Sequence, residues 1–415
     1  MRRRAFLSSA ASLAVFAAGT GLPTGLGAAA LRIAARKRSA ADTPTLVCIF
    51  QRGAMDGLSA VQPLDDPALR AARPQLWLSP TETNRAGKAL LPLDDRFGLN
   101  ATLAPLLPYY RDGQLAIVHG VGQPVEDRSH FDMQDYLENG TPGVKSTASG
   151  WLNRLGERLP GAGTPFRAMS LTTARPRSLY GTGPAISVSQ LDALTLQGGA
   201  AAHARLKQQW TTGNTPPELA RPGAAALEAA RLLESRQVTR RPRPAAYPDS
   251  PLGNSLAQIA QLIRAGVGLE IAFAESNGWD SHSYQVGPLG GFTRLADDLA
   301  QSMAAFWEDL GPHRSQTLVM TMTEFGRTVA ENGSRGTDHG RASCQFILGE
   351  RVAGGRIYGD VPANLVAANL EAGRDLPVTT DYRAVFGGIA RDHLGVRTLD
   401  GLFPGYAGRP LGLLR

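Results

Sequence analysis

The 415-residue sequence predicts an α/β fold in which a mainly parallel β-sheet is covered by helices on both faces. Two observations predict it. Short, nearly continuous apolar runs recur along the chain beside polar or glycine-containing loops, which is typical of buried parallel strands. Segments with helical periodicity separate these runs, and strands that alternate with helices favour a parallel sheet. The hydrophobic content of 43% is enough for a large core.

Each element is predicted from its own segment of sequence. Strands are predicted at Thr45–Phe50, Gln114–His119, Leu269–Phe273, Thr317–Met322 and Cys344–Leu348. Helices are predicted at Ala101–Tyr110, Phe131–Asn139, Leu252–Ala265, Phe292–Leu310 and Asp381–Leu394. Residues 197–250 are rich in Ala, Gln, Arg and Pro, and we expect a helical and proline-rich insertion there. The remainder of 42–415 is expected to form a single domain.

Residues 1–41 are predicted to be a twin-arginine signal peptide with its linker. The motif RRAFL at residues 3–7 precedes a weakly apolar stretch from Ser8 to about Leu22, and small residues at 28–30 or Ala41 offer cleavage sites. The stretch is too short to span a bilayer stably, so we expect no transmembrane span in the mature chain. We expect a periplasmic or secreted protein, with the Tat translocase as its partner during export. A Sec leader and an uncleaved anchor are the alternatives.

The net charge of +7 belongs to this leader. Residues 1–41 hold seven of the 43 basic residues and none of the 36 acidic ones, so the rest of the chain is balanced at 36 of each. The sequence contains no stripe of Lys and Arg with interleaved aromatic residues that would follow a phosphate backbone. We therefore expect no nucleic-acid partner.

Two cysteines, Cys48 and Cys344, lie in apolar segments. They could pair in an oxidising compartment if their strands are neighbours in one sheet. The favoured alternative is two buried thiols that act as small hydrophobic residues.

Polar residues gather at the ends of the predicted strands, where open α/β sheets place their ligand sites. Asp280 and His282 follow the third strand and would share one face of an extended segment. Glu324 follows the fourth strand, and Asp338 and His339 precede the fifth. Carboxylates and imidazoles are ligands of Zn²⁺ and Mn²⁺, so these five residues are the predicted metal ligands.

Three further residues are candidate catalytic groups. Ser129 precedes a predicted helix, where its hydroxyl and the backbone amides could meet an anion. Arg128 and Arg327 carry guanidinium groups, which bind phosphate or sulfate with two hydrogen bonds. The structural alternatives are a helix cap for Ser129, a surface ion pair of Glu324 with Arg327, and Asp–His hydrogen bonds. In that case, alanine variants of the acids and histidines would unfold the protein rather than inactivate it.

The longer segments that contain these residues resemble the exported bacterial family known as domain of unknown function 1501. They are LVCIFQRGAMDGLSAV, DDRFGLNATLAPL, HGVGQPVEDRSHFDMQDYLENG, GWLNRL, WDSHSYQ, TEFGRTVAENGSRGTDHG, GGRIYGD and TTDYRAVFGGIARDHLGV. Together they cover nearly all of the chain after the leader, apart from 197–250. The family is grouped with the alkaline phosphatase and sulfatase superfamily, so the resemblance implies that fold and, by analogy, hydrolysis of phosphate or sulfate esters.

The resemblance assigns roles residue by residue. Ser129 matches the superfamily's nucleophile, which lies at a helix start. Asp280 and His282 match its Asp…His pair. Glu324 matches the acid of the adjacent Asp and His residues that follow a strand in the superfamily. His339 matches the superfamily's last histidine along the chain.

Two positions depart from the superfamily pattern. Gln51 and Arg52 stand where an acid follows the first strand, and Phe325 stands where the histidine follows the acid that Glu324 matches. With two ligands lost, the resemblance implies one metal ion or none. Arg52, Arg128 or Arg327 would then replace a cation in holding an anionic group.

The leading hypothesis is an exported, metal-assisted hydrolase of phosphate or sulfate esters. Its cofactor would be a divalent ion, Zn or Mn, and its substrate a small anionic ester or a saccharide. The alternative is a non-catalytic exported binding or partner protein on a degenerate phosphatase-like fold, which would bind no metal.

Overall fold

A computed structural model describes residues 43–81, 90–194, 204–205, 208, 217–238, 246–287 and 289–415, all of which lie in one compact unit, Ala40–Arg415. The predicted leader over 1–41 lies outside the described residues, so its export signal and cleavage sites stay predictions. Part of the predicted insertion over 197–250 also lies outside them. Its described part contains a helix at Pro217–Ser235.

The described strands are numbered in chain order. They are β1 (Thr45–Arg52), β2 (Val61–Pro63), β3 (Leu90–Pro92), β4 (Phe97–Asn100), β5 (Leu115–Gly122), β6 (Ala168–Ser170), β7 (Ile186–Ser187), β8 (Ile271–Asn277), β9 (Thr317–Met322), β10 (Ser343–Leu348), β11 (Ile357–Tyr358) and β12 (Thr380–Asp381).

The described α-helices are numbered in the same way. They are α1 (Gly57–Ala60), α2 (Pro67–Ala72), α3 (Leu107–Arg111), α4 (His130–Asn139), α5 (Trp151–Arg158), α6 (Pro217–Ser235), α7 (Pro251–Ala265), α8 (Gly291–Leu310) and α9 (Tyr382–Asp392).

Nine of the strands form one sheet in the order β11-β5-β10-β9-β1-β8-β6-β7, with β12 also paired to β5. Strand β1 pairs in parallel with β8 and β9, and β8 pairs in parallel with β6. Among the strand pairs described for this sheet, only those of β10 with β5 and β9 are antiparallel. The predicted α/β fold with a mainly parallel sheet is therefore confirmed. Strands β2, β4 and β3 form a small separate antiparallel sheet.

Helices cover both faces of the large sheet, which explains why its strands are continuously apolar. Along β1, Val47 and Ile49 face one side, whereas Leu46, Cys48 and Phe50 face the other. Helices α7 and α8 cover the first side through Leu256, Ile259, Leu299, Met303 and Phe306. Helices α5 and α9 cover the second side through Trp151, Leu155, Val385, Phe386 and Ile389. Each such buried side chain contributes about 1.5–3 kcal/mol.

The predicted helix Ala101–Tyr110 is split in two. Residues Ala101–Leu106 form a 3₁₀-helix, and the α-helix α3 begins at Leu107. Pro105 lies inside the first part and Pro108 at the start of the second. Because proline lacks a backbone N–H, this segment cannot form an uninterrupted α-helix.

The two cysteines are free and buried, which agrees with the favoured alternative. Cys48 lies on β1 and Cys344 on β10, and β9 runs between these strands, so the cysteines are not on neighbouring strands. They also belong to the cores on opposite faces of the sheet. Burial raises the pKa of both thiols. Among the described residues, no helix is long and apolar enough to cross a membrane.

Two buried histidines make the stability of the fold depend on pH. The Nε2 atom of His119 contacts the carbonyl oxygen of Val61, and that of His393 contacts the carbonyl oxygen of Thr45. Burial lowers the pKa of each from 6.5 to about 4. The unfolded chain therefore binds protons below pH 6.5 that the folded chain takes up only near pH 4. Stability is fully present above pH 6.5 and is lost as the pH falls towards 4.

We expect each of these two histidines to lower the free energy of unfolding by about 2 kcal/mol between pH 7 and pH 5. Denaturant titrations of the parent protein and of His119→Gln at both pH values measure this loss. The variant should lose about 2 kcal/mol less than the parent. Equal losses in the two proteins would show that His119 is not held neutral by burial.

Candidate metal centre

The candidate site lies at the edge of the sheet where β1, β8 and β9 end. Because β10 runs antiparallel to β9, its first residue lies at this same edge. The loops after β8 and β9 carry Asp280, His282 and Glu324, and the loop before β10 carries Asp338 and His339. The sheet thus gathers residues that are up to 59 positions apart in the sequence.

Three side chains offer metal-ligand atoms that all lie within 4.8 Å of one another, namely His130, Asp280 and His339. The Nε2 atoms of His130 and His339 are 3.0 Å apart. Asp280 Oδ2 is 3.4 Å from His130 Nε2, and Asp280 Oδ1 is 3.3 Å from His339 Nε2.

A third histidine, His282, borders this group. Its Nε2 atom lies 2.9 Å from His339 Nε2 and 3.1 Å from Asp280 Oδ1. Three imidazole nitrogens and one carboxylate therefore meet in one place. This is a donor set that divalent transition-metal ions take in proteins.

Hydrogen-bond acceptors around the cluster determine which ring nitrogen of each of the three imidazoles carries the proton. Each Nδ1 atom faces an oxygen that can only accept a hydrogen bond. The acceptors are Glu324 Oε1 at 2.8 Å for His130, Asp338 Oδ1 at 2.9 Å for His282, and the Arg128 carbonyl oxygen at 2.8 Å for His339. In the neutral rings the proton therefore lies on Nδ1, and the Nε2 lone pair points towards the other ligands.

This arrangement fits a divalent ion. Nitrogen lone pairs that approach to 2.9–3.0 Å repel each other unless a proton or a cation lies between them. With Zn–N bonds of 2.0–2.1 Å, tetrahedral ligand atoms lie about 3.3 Å apart. The separations here, 2.9–3.4 Å, are close to that value.

Glu324 is fully buried, yet hydrogen bonds stabilise its charge. Its Oε1 atom accepts from His130 Nδ1, from Gln134 Nε2 and from the backbone N–H of Gly53, each at 2.8 Å. Burial opposes the charged form, but these hydrogen bonds hold the pKa of Glu324 below its usual value. In turn, the hydrogen bond to Glu324 raises the pKa of His130. The ionised Glu324 is therefore built into the site as a partner of His130.

The carboxylate of Asp338 accepts a hydrogen bond from His282 Nδ1 at 2.9 Å. Hydrogen bonds from Asn332 and His282 lower the pKa of its carboxyl group. The Nδ1 atom of His339, in contrast, faces a backbone carbonyl rather than a carboxylate, and burial lowers the pKa of His339.

Arg327 lies against Asp280, the carboxylate among the four candidate ligands. Its Nη2 atom donates to Asp280 Oδ1 at 2.7 Å, and its side chain is fully buried. Burial raises the pKa of Asp280, but the charge of Arg327 outweighs that effect and holds the pKa below its usual value. The Nε and Nη1 atoms of Arg327 are buried with no hydrogen-bond partner among the described residues. Buried guanidinium donors without a partner are costly.

The other two predicted catalytic residues flank the cluster. Ser129 is the N-cap of α4, where its Oγ atom accepts from Asp132 N at 3.4 Å, and it directly precedes His130. The Arg128 guanidinium pairs with the buried carboxylate of Asp375. Arg128 therefore contacts the site through its backbone carbonyl oxygen, which faces His339 Nδ1.

Among the predicted ligands, Asp280, His282 and His339 face one another. Glu324 and Asp338 lie behind histidines. Sequence reasoning missed His130 as a ligand, although it follows Ser129 in the motif DRSH and begins α4. A histidine beside a candidate catalytic serine at a helix start is the signal that could have identified it.

The residues that depart from the pattern implied by the resemblance are Phe325, Gln51 and Arg52. Phe325 packs against the rings of His130 and His339, with centroids 4.9 and 5.1 Å away. Gln51 is fully buried, and neither polar atom of its side chain has a partner in the described part of the chain. Arg52 binds Gln134, Glu138 and Glu275 instead of the ligand cluster.

Comparison with known families is consistent with the sequence analysis. The family model described as "Protein of unknown function (DUF1501)" matches residues 116–401, which is more than half of the chain. The chain belongs to this family. No curated protein matches it.

Two solved structures resemble this DUF1501 member over most of their length. The PsFucS1 sulfatase from Pseudoalteromonas sp. shares 10% identity at a TM-score of 0.39, over 91% of this chain and 73% of that chain. The C-terminal periplasmic domain of EcEptC from Escherichia coli, solved in complex with Zn, shares 10% identity at a TM-score of 0.35, over 76% and 75%. Likeness at these scores bears on neither substrate nor mechanism.

Gly53 allows the loop after β1 to approach the ligands. Its φ is +113°, and a Cβ atom there would lie 2.5 Å from the backbone nitrogen of Asp280. We expect Gly53→Ala to weaken zinc binding by at least about tenfold and to lower the free energy of unfolding by about 2 kcal/mol. Chelator competition and denaturant titration measure the two effects. Gly333→Ala is the matched control, because a Cβ atom there has open space around it. If Gly53→Ala behaved like that control, Gly53 would have no role in shaping the site.

Proposed function

We propose that this protein is a divalent-metal-dependent hydrolase of phosphate or sulfate esters. The observation that carries the proposal is the convergence of three imidazole Nε2 atoms and one carboxylate, with every Nδ1 atom bound to an acceptor. His130, Asp280, His282 and His339 would hold the ion. A bound Zn²⁺ or Mn²⁺ would supply Lewis-acid stabilisation of charge on the transferred group.

The residues around the cluster suit an anionic group. Arg327 has two buried donors without a partner among the described residues, and guanidinium binds phosphate and sulfate oxygens with two hydrogen bonds. Ser129 lies at the N-terminus of the ten-residue helix α4, where the helix dipole favours negative charge.

Ser129 is the candidate nucleophile. Its Oγ atom would form a bond to phosphorus or sulfur as the ester oxygen leaves with a proton, and water would then release phosphate or sulfate. In the alternative role, the Ser129 hydroxyl only holds the anion.

Export belongs to the same proposal. The twin-arginine leader predicted over 1–41 would send the protein to the periplasm or out of the cell. Twin-arginine substrates cross the membrane folded, so the ion would be taken up before export.

We expect the purified protein, stripped of metal and reloaded, to retain about one equivalent of Zn²⁺ or Mn²⁺. His130→Ala and His282→Ala should each abolish metal retention while leaving unfolding cooperative, because each removes one ligand from an otherwise intact fold. Elemental analysis after gel filtration and a thermal melt measure both. His313→Ala, a histidine on the 3₁₀-helix before β9, should keep the ion. Retention of a full metal complement by His130→Ala or His282→Ala would contradict the ligand assignment.

We expect Ser129→Ala to lower kcat for aryl phosphate or aryl sulfate hydrolysis at least about 100-fold while metal content stays unchanged, because the nucleophile is lost. Loss of the N-cap alone costs about 1 kcal/mol. Ser250→Ala removes a comparable cap, from α7, and should leave kcat intact. Equal kcat values in the parent and Ser129→Ala would exclude Ser129 as the nucleophile.

A second candidate is a metal-dependent binding protein without turnover. Phe325 and Gln51, which replace two superfamily ligands and are both buried, favour it. This candidate predicts metal retention and binding of inorganic sulfate or phosphate, with no hydrolysis of either aryl ester.

A further inference from the structure

A cavity opens at the edge of the sheet that also carries the candidate metal centre. It lies on the side of β8 that faces β6 and β7. Its volume is about 230 Å³. It is lined by Leu171, Thr172, Thr173, Ser189, Gln190, Pro251, Asn254, Ser255, Gln258, Glu275 and Asn277. Asn277 ends β8, and the ligand Asp280 follows it by three residues.

The chemistry of the lining disfavours an anionic ligand. No Lys or Arg belongs to the lining, so the cavity offers no cation to a phosphate or sulfate group. Its single carboxylate, Glu275, accepts a hydrogen bond from Arg52 Nε at 2.8 Å, and the same guanidinium also pairs with Glu138. Hydroxyl and amide groups, which both donate and accept, make up most of the remaining lining.

Four of these groups are available to a ligand. Thr173, Ser189, Gln190 and Asn277 are exposed, and their side chains make no hydrogen bond to another described residue. Leu171 and Pro251 add apolar surface beside them. A ring with polar hydroxyls and apolar C–H faces matches this mixture.

The cavity has room for such a ring. A protein cavity of about 150 Å³ holds benzene. The larger space here admits a six-membered ring that carries hydroxyl groups.

Hydrogen bonds connect the cavity to the metal centre. His130 donates to Glu324, and Gln134 Nε2 donates to the same Glu324 oxygen. Arg52 Nη1 donates to Gln134 Oε1 at 2.8 Å, and Arg52 Nε donates to Glu275, which lines the cavity. The two sites are therefore held in fixed relation at one edge of the sheet.

We propose that this cavity is a saccharide subsite, which binds the uncharged sugar ring of a sulfated or phosphorylated saccharide while the anionic ester group lies at the metal centre. The proposal rests on the proposed function for the ester group. Binding of the ring itself requires only the cavity.

The experiment measures binding of glucose, galactose and mannose to the purified protein by saturation-transfer NMR and calorimetry. It uses both the parent and the metal-site variant His282→Ala. We expect at least one of these sugars to bind both proteins equally. Asn277→Ala and Gln190→Ala should weaken that binding by about tenfold or more, because each removes hydrogen bonds to the ring. Gln301→Ala, an exposed amide on α8 outside the cavity, is the matched control and should bind like the parent.

Two outcomes would overturn the subsite. One is that none of the three sugars binds, or that Asn277→Ala and Gln190→Ala bind them as the parent does. The other is displacement of the sugar from His282→Ala by inorganic sulfate, which would show an anion site. Failure of the proposed function is a separate result, in which sugars bind the cavity but neither aryl esters nor sugar esters are hydrolysed.

Discussion

The direction of strand β10 is the constraint on which the site depends. Because β10 is antiparallel to β9, the residues before it reach the edge where β1, β8 and β9 end. Reversal of this six-residue strand would move His339 by about 20 Å, to the opposite edge of the sheet. The segment between the two strands is itself folded back, with Thr328 N donating to the Asp338 carbonyl at 2.9 Å. That pairing holds His339 beside Arg327, whose guanidinium donates to the candidate ligand Asp280.

The hydrogen bonds behind the histidines determine what the cluster can bind. Acceptors at all three Nδ1 atoms leave the Nε2 lone pairs turned towards one another, which is unfavourable until a cation arrives. The buried carboxylate of Glu324 shows how much of the structure supports this arrangement. It accepts from two side chains of α4, His130 and Gln134, and from the backbone N–H of Gly53 in the loop after β1. Hydrogen bonds of the protein alone therefore organise the candidate site.

The two positions that depart from the pattern implied by the resemblance change the candidate site, but its side chains still converge. The loop after β1 supplies a backbone N–H to Glu324 in place of a carboxylate ligand, and Arg52 turns towards Glu138 and Glu275. Phe325 forms an apolar surface under two of the imidazoles. Three histidines and one aspartate still converge in the candidate metal centre. Arg52 connects that centre to the neighbouring cavity through Gln134 and Glu275.

The sequence by itself determined the elements and most of the chemistry. Continuous apolar runs marked β1, β9 and β10, because strands covered on both faces need apolar side chains in both directions. It also placed Asp280, His282 and His339 at strand ends. Only the tertiary structure showed that β10 is antiparallel. The apolar sequence of a buried strand does not indicate which strands pair with it or in which direction they run. The tertiary structure likewise added His130 and assigned Glu324 and Asp338 to positions behind the histidines, because the direction of a side chain depends on neighbours that are distant in the sequence.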